Sequence, residues 1–180
     1  QRLLAKKPRT LPMATFCALV LEQAVDTPVT LAERAEASEA STSTSKYIHI
    51  DLEEEFKLQQ CISKLIKEKS IQSAHDISEG GLMTTLLEAA YYLNKGFEVS
   101  KVNDTVRNDA YWFGESQSRV VVSCSPNQVD AVLQMAGSMN GAVSVIGSVT
   151  SNNVKVQSED WGSITSWKNA YDTSIENKLK

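Results

Sequence analysis

Residues 71–93 decide the fold: Ile71-Gln72-Ser73-Ala74-His75-Asp76-Ile77-Ser78-Glu79-Gly80-Gly81-Leu82, continued by Met83-Thr84-Thr85-Leu86-Leu87-Glu88-Ala89-Ala90-Tyr91-Tyr92-Leu93. A short strand-like run over 71–77 enters a polar glycine corner, Ser78-Glu79-Gly80-Gly81. Leu82, Leu86, Leu87, Ala90 and Leu93 then recur at helical spacing. A strand that turns through paired glycines into a helix leaves backbone N–H groups without partners at the helix start. Together with the positive end of the helix dipole, these groups favour an anion. His75, Asp76 and Ser78 stand just before the corner, where a carboxylate can hold a divalent cation while the amides hold a phosphate. The same residues also suit a plain strand-to-helix turn in which glycine only permits the backbone. A glycine pair alone does not separate the two readings.

Downstream, Asn94-Lys95-Gly96 reads as a helix stop and residues 97–102 alternate as a half-buried strand. Residues 103–118 are polar and irregular around one aromatic knot, Tyr111-Trp112-Phe113. Arg119 opens a β-branched run through Cys124, which suits a buried strand. Pro126 suits the first turn of a helix whose inner face carries Val129, Val132, Leu133 and Ala136. Residues 142–149 and 154–156 read as strands, and the tail from Trp161 to Leu179 as a helix with Ile164, Trp167, Tyr171 and Ile175 on one side. The order over 71–149 is strand–helix–strand–strand–helix–strand. That order predicts an α+β fold of split β-α-β type, with helices on one face of a mixed, mostly antiparallel sheet.

Upstream, Asp51 and Glu54 form a capping-box-like pair before a helix. Its expected inner face carries Leu52, Phe56, Gln59, Ile62, Leu65 and Ile66. Residues 1–45 differ: Pro8, Pro12 and Pro28 interrupt two short helical possibilities, 13–25 and 29–40, and a Ser/Thr-rich stretch follows. We therefore expect a leader, linker or end of a preceding domain over 1–45, and a folded domain over 46–180.

The chain has 180 residues, a net charge of −4, and 42% hydrophobic and 22% charged residues. That size supports one domain with a real core, and the charge argues against a general nucleic-acid binder. Three dispersed cysteines and two histidines form no zinc spacing, and reduced thiols point to a cytoplasmic protein. The apolar run over 13–21 is too short to span a bilayer, so no membrane association is expected.

A second polar cluster, Gly114-Glu115-Ser116-Gln117-Ser118-Arg119, abuts the most β-prone run. Arg119 either pairs with Glu115 to close a loop or faces a ligand, since a guanidinium matches phosphate geometry. The two clusters together, residues 73–82 and 113–123, resemble the phosphoribosylformylglycinamidine synthase (PurL) family. The resemblance is to its second AIR-synthetase-type (PurM-like) C-terminal domain, and it runs over residues 46–180. It implies a PurM C-terminal-domain-like fold and part of a ligase that uses ATP and Mg2+. That enzyme converts formylglycinamide ribonucleotide to its amidine: ATP phosphorylates the amide oxygen, and glutamine-derived ammonia displaces the phosphate. By the same resemblance Asp76 is a metal ligand and Ser78 contacts ATP; the amides of Gly80 and Gly81 then read as the phosphate cradle, and Arg119, by its guanidinium chemistry, as a further nucleotide contact. Glu79 stands where many relatives carry aspartate. No catalytic residue is assigned.

The resemblance further implies partners: N-terminal PurM-like domains of the same protein, a glutaminase, and in some cases a second copy of the chain. The isolated chain is expected to be inactive. The alternatives are another superfamily member, such as AIR synthetase, selenophosphate synthetase or a hydrogenase-maturation protein, and a non-catalytic nucleotide-binding or packing module. Cys17 lacks the glycine-rich setting a selenophosphate enzyme implies, and residues 115–119 favour PurL.

Overall fold

The structure, a computed structural model, describes residues 17–22, 52–102, 106–116, 118–139 and 142–179. The helix expected over 29–40, the Ser/Thr-rich stretch and the Asp51 cap lie outside the described residues. Strand β1 (Cys17–Glu22) comes first, and helix α1 (Leu52–Lys67) opens the continuous part of the fold. Strand β2 (Ser73–Asp76), helix α2 (Gly81–Tyr91) and strand β3 (Gly96–Val99) follow. A short helix α3 (Asn108–Phe113) precedes strand β4 (Arg119–Cys124). A 3-10 turn at Pro126–Gln128 leads into helix α4 (Val129–Ser138). Strands β5 (Ala142–Thr150), β6 (Asn153–Val156) and β7 (Glu159–Ser163) and the terminal helix α5 (Ile164–Leu179) complete the order.

Among the described residues the strands form one seven-stranded sheet, β2-β4-β1-β5-β3-β6-β7. Every neighbouring pair is antiparallel except β3 with β6. The α+β class and the mixed, mostly antiparallel sheet are those expected. Helices, however, cover both faces and not one. Successive strand residues point to opposite faces, so β4 divides its side chains between two cores. Val121 joins Leu82, Met83 and Leu86 of α2, Trp112 of α3 and Ile164 of α5. Val122 and Cys124 join Leu58, Cys61 and Leu65 of α1 and Val132 and Ala136 of α4. A strand buried on both sides reads as one continuous apolar run, which carries no signal of where the helices lie.

Four other expectations are corrected. Residues 17–22 lie within the stretch 13–25 read as helical, yet β1 sits in mid-sheet between β4 and β5, paired from Cys17↔Cys124 to Glu22↔Arg119. The sheet thus draws a strand from residues 1–45. A short unbroken apolar run fits a buried strand as well as a helix, and only pairing partners decide. Second, α1 is rotated from its expected phase: Leu65 is buried as expected, but Leu58 and Cys61 are buried with it, while Leu52, Phe56 and Ile66 are 78%, 59% and 55% exposed. Third, the irregular stretch 103–118 contains α3, whose Trp112 is buried. Fourth, residues 159–163 form β7 and not the first turn of the tail helix, and Tyr171 and Ile175 of that helix are exposed.

Both long helices before the sheet strands end in a left-handed residue. Lys69 (φ 56°) allows Ser70 N–H to donate to Leu65 O, and Asn94 (φ 50°) allows Lys95 N–H to donate to Ala90 O. These bonds spanning five residues satisfy the last carbonyls and turn the chain back towards the sheet. No helix among the described residues is long and apolar enough to cross a membrane.

The phase of α1 is open to a direct test. Leu58→Ala is expected to cost about 2–5 kcal/mol, and Phe56→Ser to stay within about 0.5 kcal/mol of the unchanged chain. Urea unfolding of the two variants distinguishes the observed phase from the expected one.

Candidate functional site

The site grows from the pairing of β2 with β4. Asp76 lies opposite Val120, and Ile77 N–H adds one further bond to Arg119 O at 2.9 Å. The chain then leaves the sheet at Ser78. Gly80 (φ 77°) and Gly81 (φ 69°) both take left-handed conformations, which glycine adopts without penalty. Gly81 is required for a second reason. A Cβ there would lie 2.6 Å from the Phe113 carbonyl carbon and 2.9 Å from Gly114 O. The missing side chain lets the end of α3 rest directly on the start of α2.

That contact brings in Glu115. No acidic residue occupies the first turn of α2, and Gly80 offers no side-chain cap. Glu115, 35 residues away, supplies one: its Oε1 accepts the Gly80 N–H at 2.9 Å. The Gly81 N–H donates to Ser78 O at 3.1 Å. Both glycine amides expected to cradle a phosphate are therefore engaged within the chain. Thr84 Oγ1 donates to Gly80 O at 3.0 Å, and Thr85 Oγ1 to Gly81 O at 3.1 Å, stiffening the turn.

Strand alternation sends most of His75 and Asp76 to opposite faces, although His75 Nδ1 still lies 3.8 Å from Asp76 Oδ1. His75, registered with Val121, turns towards α2, where its Nε2 lies 3.8 Å from Glu88 Oε2. Tyr171 of α5 donates to Glu88 Oε1 at 3.3 Å, so this chain of contacts ties the tail helix to the sheet. Burial pushes the nearby Tyr91 phenol up, with Tyr171, Asp172 and Glu88 adding to the effect. Asp76 turns the other way. Its side chain is 80% exposed, and its main-chain carbonyl accepts from the His75 ring at 2.8 Å.

Asp76 borders a cleft of about 710 Å³ between the β2–β4 rim and α1. Ser78, Glu79, Glu115, Ser118 and Arg119 share that rim, and Glu55, Gln59, Ile62 and Ile66 form the facing wall. Of the expected site residues, the cleft brings together Asp76, Ser78 and Arg119, and Gly80 adjoins it through Glu115. Gly81 is buried beneath Phe113 and Gly114, away from the opening. Arg119 is nine-tenths buried (9% exposed). Glu115 and Glu55 were not singled out as ligand-side residues. Glu115 had a sequence signal, a carboxylate just before a buried strand, whereas Glu55 becomes visible only once α1 takes its observed phase.

Four carboxylates, Glu55, Asp76, Glu79 and Glu115, thus line the cleft against one guanidinium, Arg119. Such a donor set fits a hard divalent cation that keeps waters and ligand oxygens, as Mg2+ does. No group of three or more metal-ligating side chains gathers among the described residues.

Fold and site define an α+β domain of split β-α-β type with an acidic cleft at its strand-to-helix corner. The chain belongs to the family described as AIR synthase related protein, C-terminal domain, which matches residues 27–159. It is 47% identical over 87 residues to the phosphoribosylformylglycinamidine synthase subunit PurL of Caldanaerobacter subterraneus subsp. tengcongensis, covering 48% of this chain and 12% of that protein. Its fold is similar to that of T. maritima PurL complexed with FGAR, with a TM-score of 0.64 and 17% identity over 83% of this chain and 27% of the other. The same enzyme complexed with ADP gives a TM-score of 0.62 and 16% identity over 83% of this chain and 24% of the other. The chain therefore spans well under a third of each of these relatives.

The corner is testable by stability alone. Gly81→Ala must hold an unfavourable φ and push against main chain, so it is expected to cost more than about 1 kcal/mol. Glu115→Ala removes a helix cap and is expected to cost about 0.5–2 kcal/mol, with Glu115→Gln costing less because an acceptor remains. Thermal melting of the three variants checks this order.

Proposed function

We propose that the chain is the C-terminal AIR-synthase-related domain of a phosphoribosylformylglycinamidine synthase, a cytoplasmic ligase of purine biosynthesis. The whole enzyme would convert formylglycinamide ribonucleotide to its amidine using ATP and ammonia from a glutaminase partner. This domain contributes one side of a nucleotide–metal site. The observation that carries the reading is the meeting of two sequence-distant motifs, 73–82 and 113–123, on one cleft. They meet through the β2–β4 ladder and the Gly80–Glu115 bond. Relatives named for that activity, and a fold shared with a PurL complexed with ADP, support it.

The residues divide the work by chemistry. Asp76 offers an exposed carboxylate to the cation. Mg2+, when bound, neutralises phosphate charge and orients the transferred group. Ser78 supplies a hydroxyl donor beside it, and Arg119 a guanidinium suited to a phosphate oxygen pair. Gly80 and Gly81 act by setting the turn, since their amides already serve Glu115 and Ser78. That engagement also favours a second reading, a non-catalytic module that packs against N-terminal PurM-like domains of a longer protein.

Calorimetry decides between them. On the first reading the chain binds ADP in the presence of Mg2+, and Asp76→Ala weakens binding at least about tenfold, the scale of loss even for outer-shell groups of a metal site. A chain that folds but takes up no nucleotide favours the packing module. The chain alone is expected to form no amidine from substrate, ATP and ammonium, and turnover in that assay would overturn its assignment as a partial site.

A further inference from the structure

We propose that a pocket between α2 and α5 receives the guanidinium of an arginine side chain carried by a partner segment. The pocket lies on the α2 and α5 side of the sheet, away from the cleft against α1, and stands apart from the nucleotide reading. Its volume is about 220 Å³, below the roughly 300–1,000 Å³ of sites for drug-sized ligands, so it suits one side chain and not a whole cofactor. Tyr91, Trp167 and Tyr171 line it with aromatic surface, and Glu88 adds a carboxylate. Contacts within the chain hold these walls in place. The Tyr91 and Tyr171 rings meet at 5.8 Å and 48°. Trp167 stacks on Trp161 at 6.0 Å, and its Nε1 donates to Trp161 O at 2.8 Å. The Tyr171 hydroxyl donates to Glu88 Oε1 at 3.3 Å. Walls fixed in advance lower the ordering cost of binding.

The electrostatics of the pocket select a cation. Aromatic faces carry negative potential. Helix α2 ends at Tyr91 with no basic residue in its last turn, so the negative end of its dipole adds to the charge of Glu88. The cations nearby are otherwise placed. Lys168 Nζ is held by Asp172 Oδ2 at 2.5 Å, and His75 Nε2 stays 3.8 Å from Glu88 Oε2, beyond hydrogen-bond reach. The Tyr91 phenol feels the same field: burial first, then Tyr171, Asp172 and Glu88, push its pKa up. A planar guanidinium stacks on an aromatic face while donating to a carboxylate, whereas an ammonium is a compact, strongly hydrated point charge. Tyr171, Ile175 and Leu179 are exposed at four-residue spacing, so apolar surface continues from the pocket along α5. A partner segment can lie along that stripe with its arginine in the pocket, and a free amino acid is too short to use it.

The test follows the Trp167 indole N–H by two-dimensional NMR of the full chain while N-acetyl-arginine methylamide is added. The same capped form of citrulline, alike in shape but neutral, and of lysine are the comparisons, and free L-arginine tests the source. Capped arginine is expected to bind at least about tenfold more tightly than capped citrulline and about threefold more tightly than capped lysine. Free L-arginine is expected to bind no more tightly than the capped form, because its α-carboxylate meets Glu88. Glu88→Gln keeps an acceptor for Tyr171 and is expected to weaken capped arginine about tenfold while leaving capped citrulline unchanged. Should that variant fail to fold, Tyr171→Leu at an exposed position keeps apolar surface, removes a ring, and is expected to weaken capped arginine at least about threefold. Equal binding of arginine and citrulline, lysine binding as tightly as arginine, a folded variant with unchanged affinity, or no shift at Trp167 overturns the inference. Tighter binding of free L-arginine also overturns it, by assigning the pocket to a small molecule.

Discussion

Strand β4 is the constraint on which the rest of the fold depends. It pairs with β2 on one side and β1 on the other, and its alternating side chains serve two separate cores. Val121 faces α2, α3 and α5, and Val122 and Cys124 face α1 and α4. Each fully buried aliphatic side chain of this size contributes roughly 1.5–3 kcal/mol, so one strand anchors both layers. Its first residue, Arg119, opens onto the cleft while the Arg119 carbonyl accepts from Ile77. The strand that holds the layers together is therefore also the strand that sets the floor of the site.

The corner beside it shows how packing and electrostatics are coupled. Glycine at position 81 removes the steric barrier between α2 and α3, and the resulting contact delivers a carboxylate to the end of α2. A helix whose own first turn carries no acid is thereby capped from a distant part of the chain. The cap satisfies an orphan N–H and complements the helix dipole. It also adds a carboxylate to the lining of the cleft.

The two faces of β2 place their side chains in different surroundings. His75 joins Glu88 and Tyr171 on the α2 and α5 side, linking the sheet to the tail helix, while Asp76 stays in solvent at the cleft. Adjacent ionisable residues thus reach different surroundings, because a strand sends neighbours to opposite faces, while the His75 ring stays within 3.8 Å of the Asp76 carboxylate.

Taken alone, the sequence determined those elements whose signals are local. The 3.6-residue spacing of α2, the β-branched run of β4 and the paired glycines at 80 and 81 each state their own conformation. Two specific motifs, read together, also led to the family that the matches now establish. Tertiary structure alone decided whatever depended on a partner. β1 became a central strand because β4 and β5 offered ladders on both sides, and α1 turned Leu58, Cys61 and Leu65 inward because α4 and Val122 complete that core. The use of the Gly80 amide was decided the same way. Its partner, Glu115, comes from 35 residues along the chain, and no local pattern reveals a bond between groups that only folding brings to 2.9 Å.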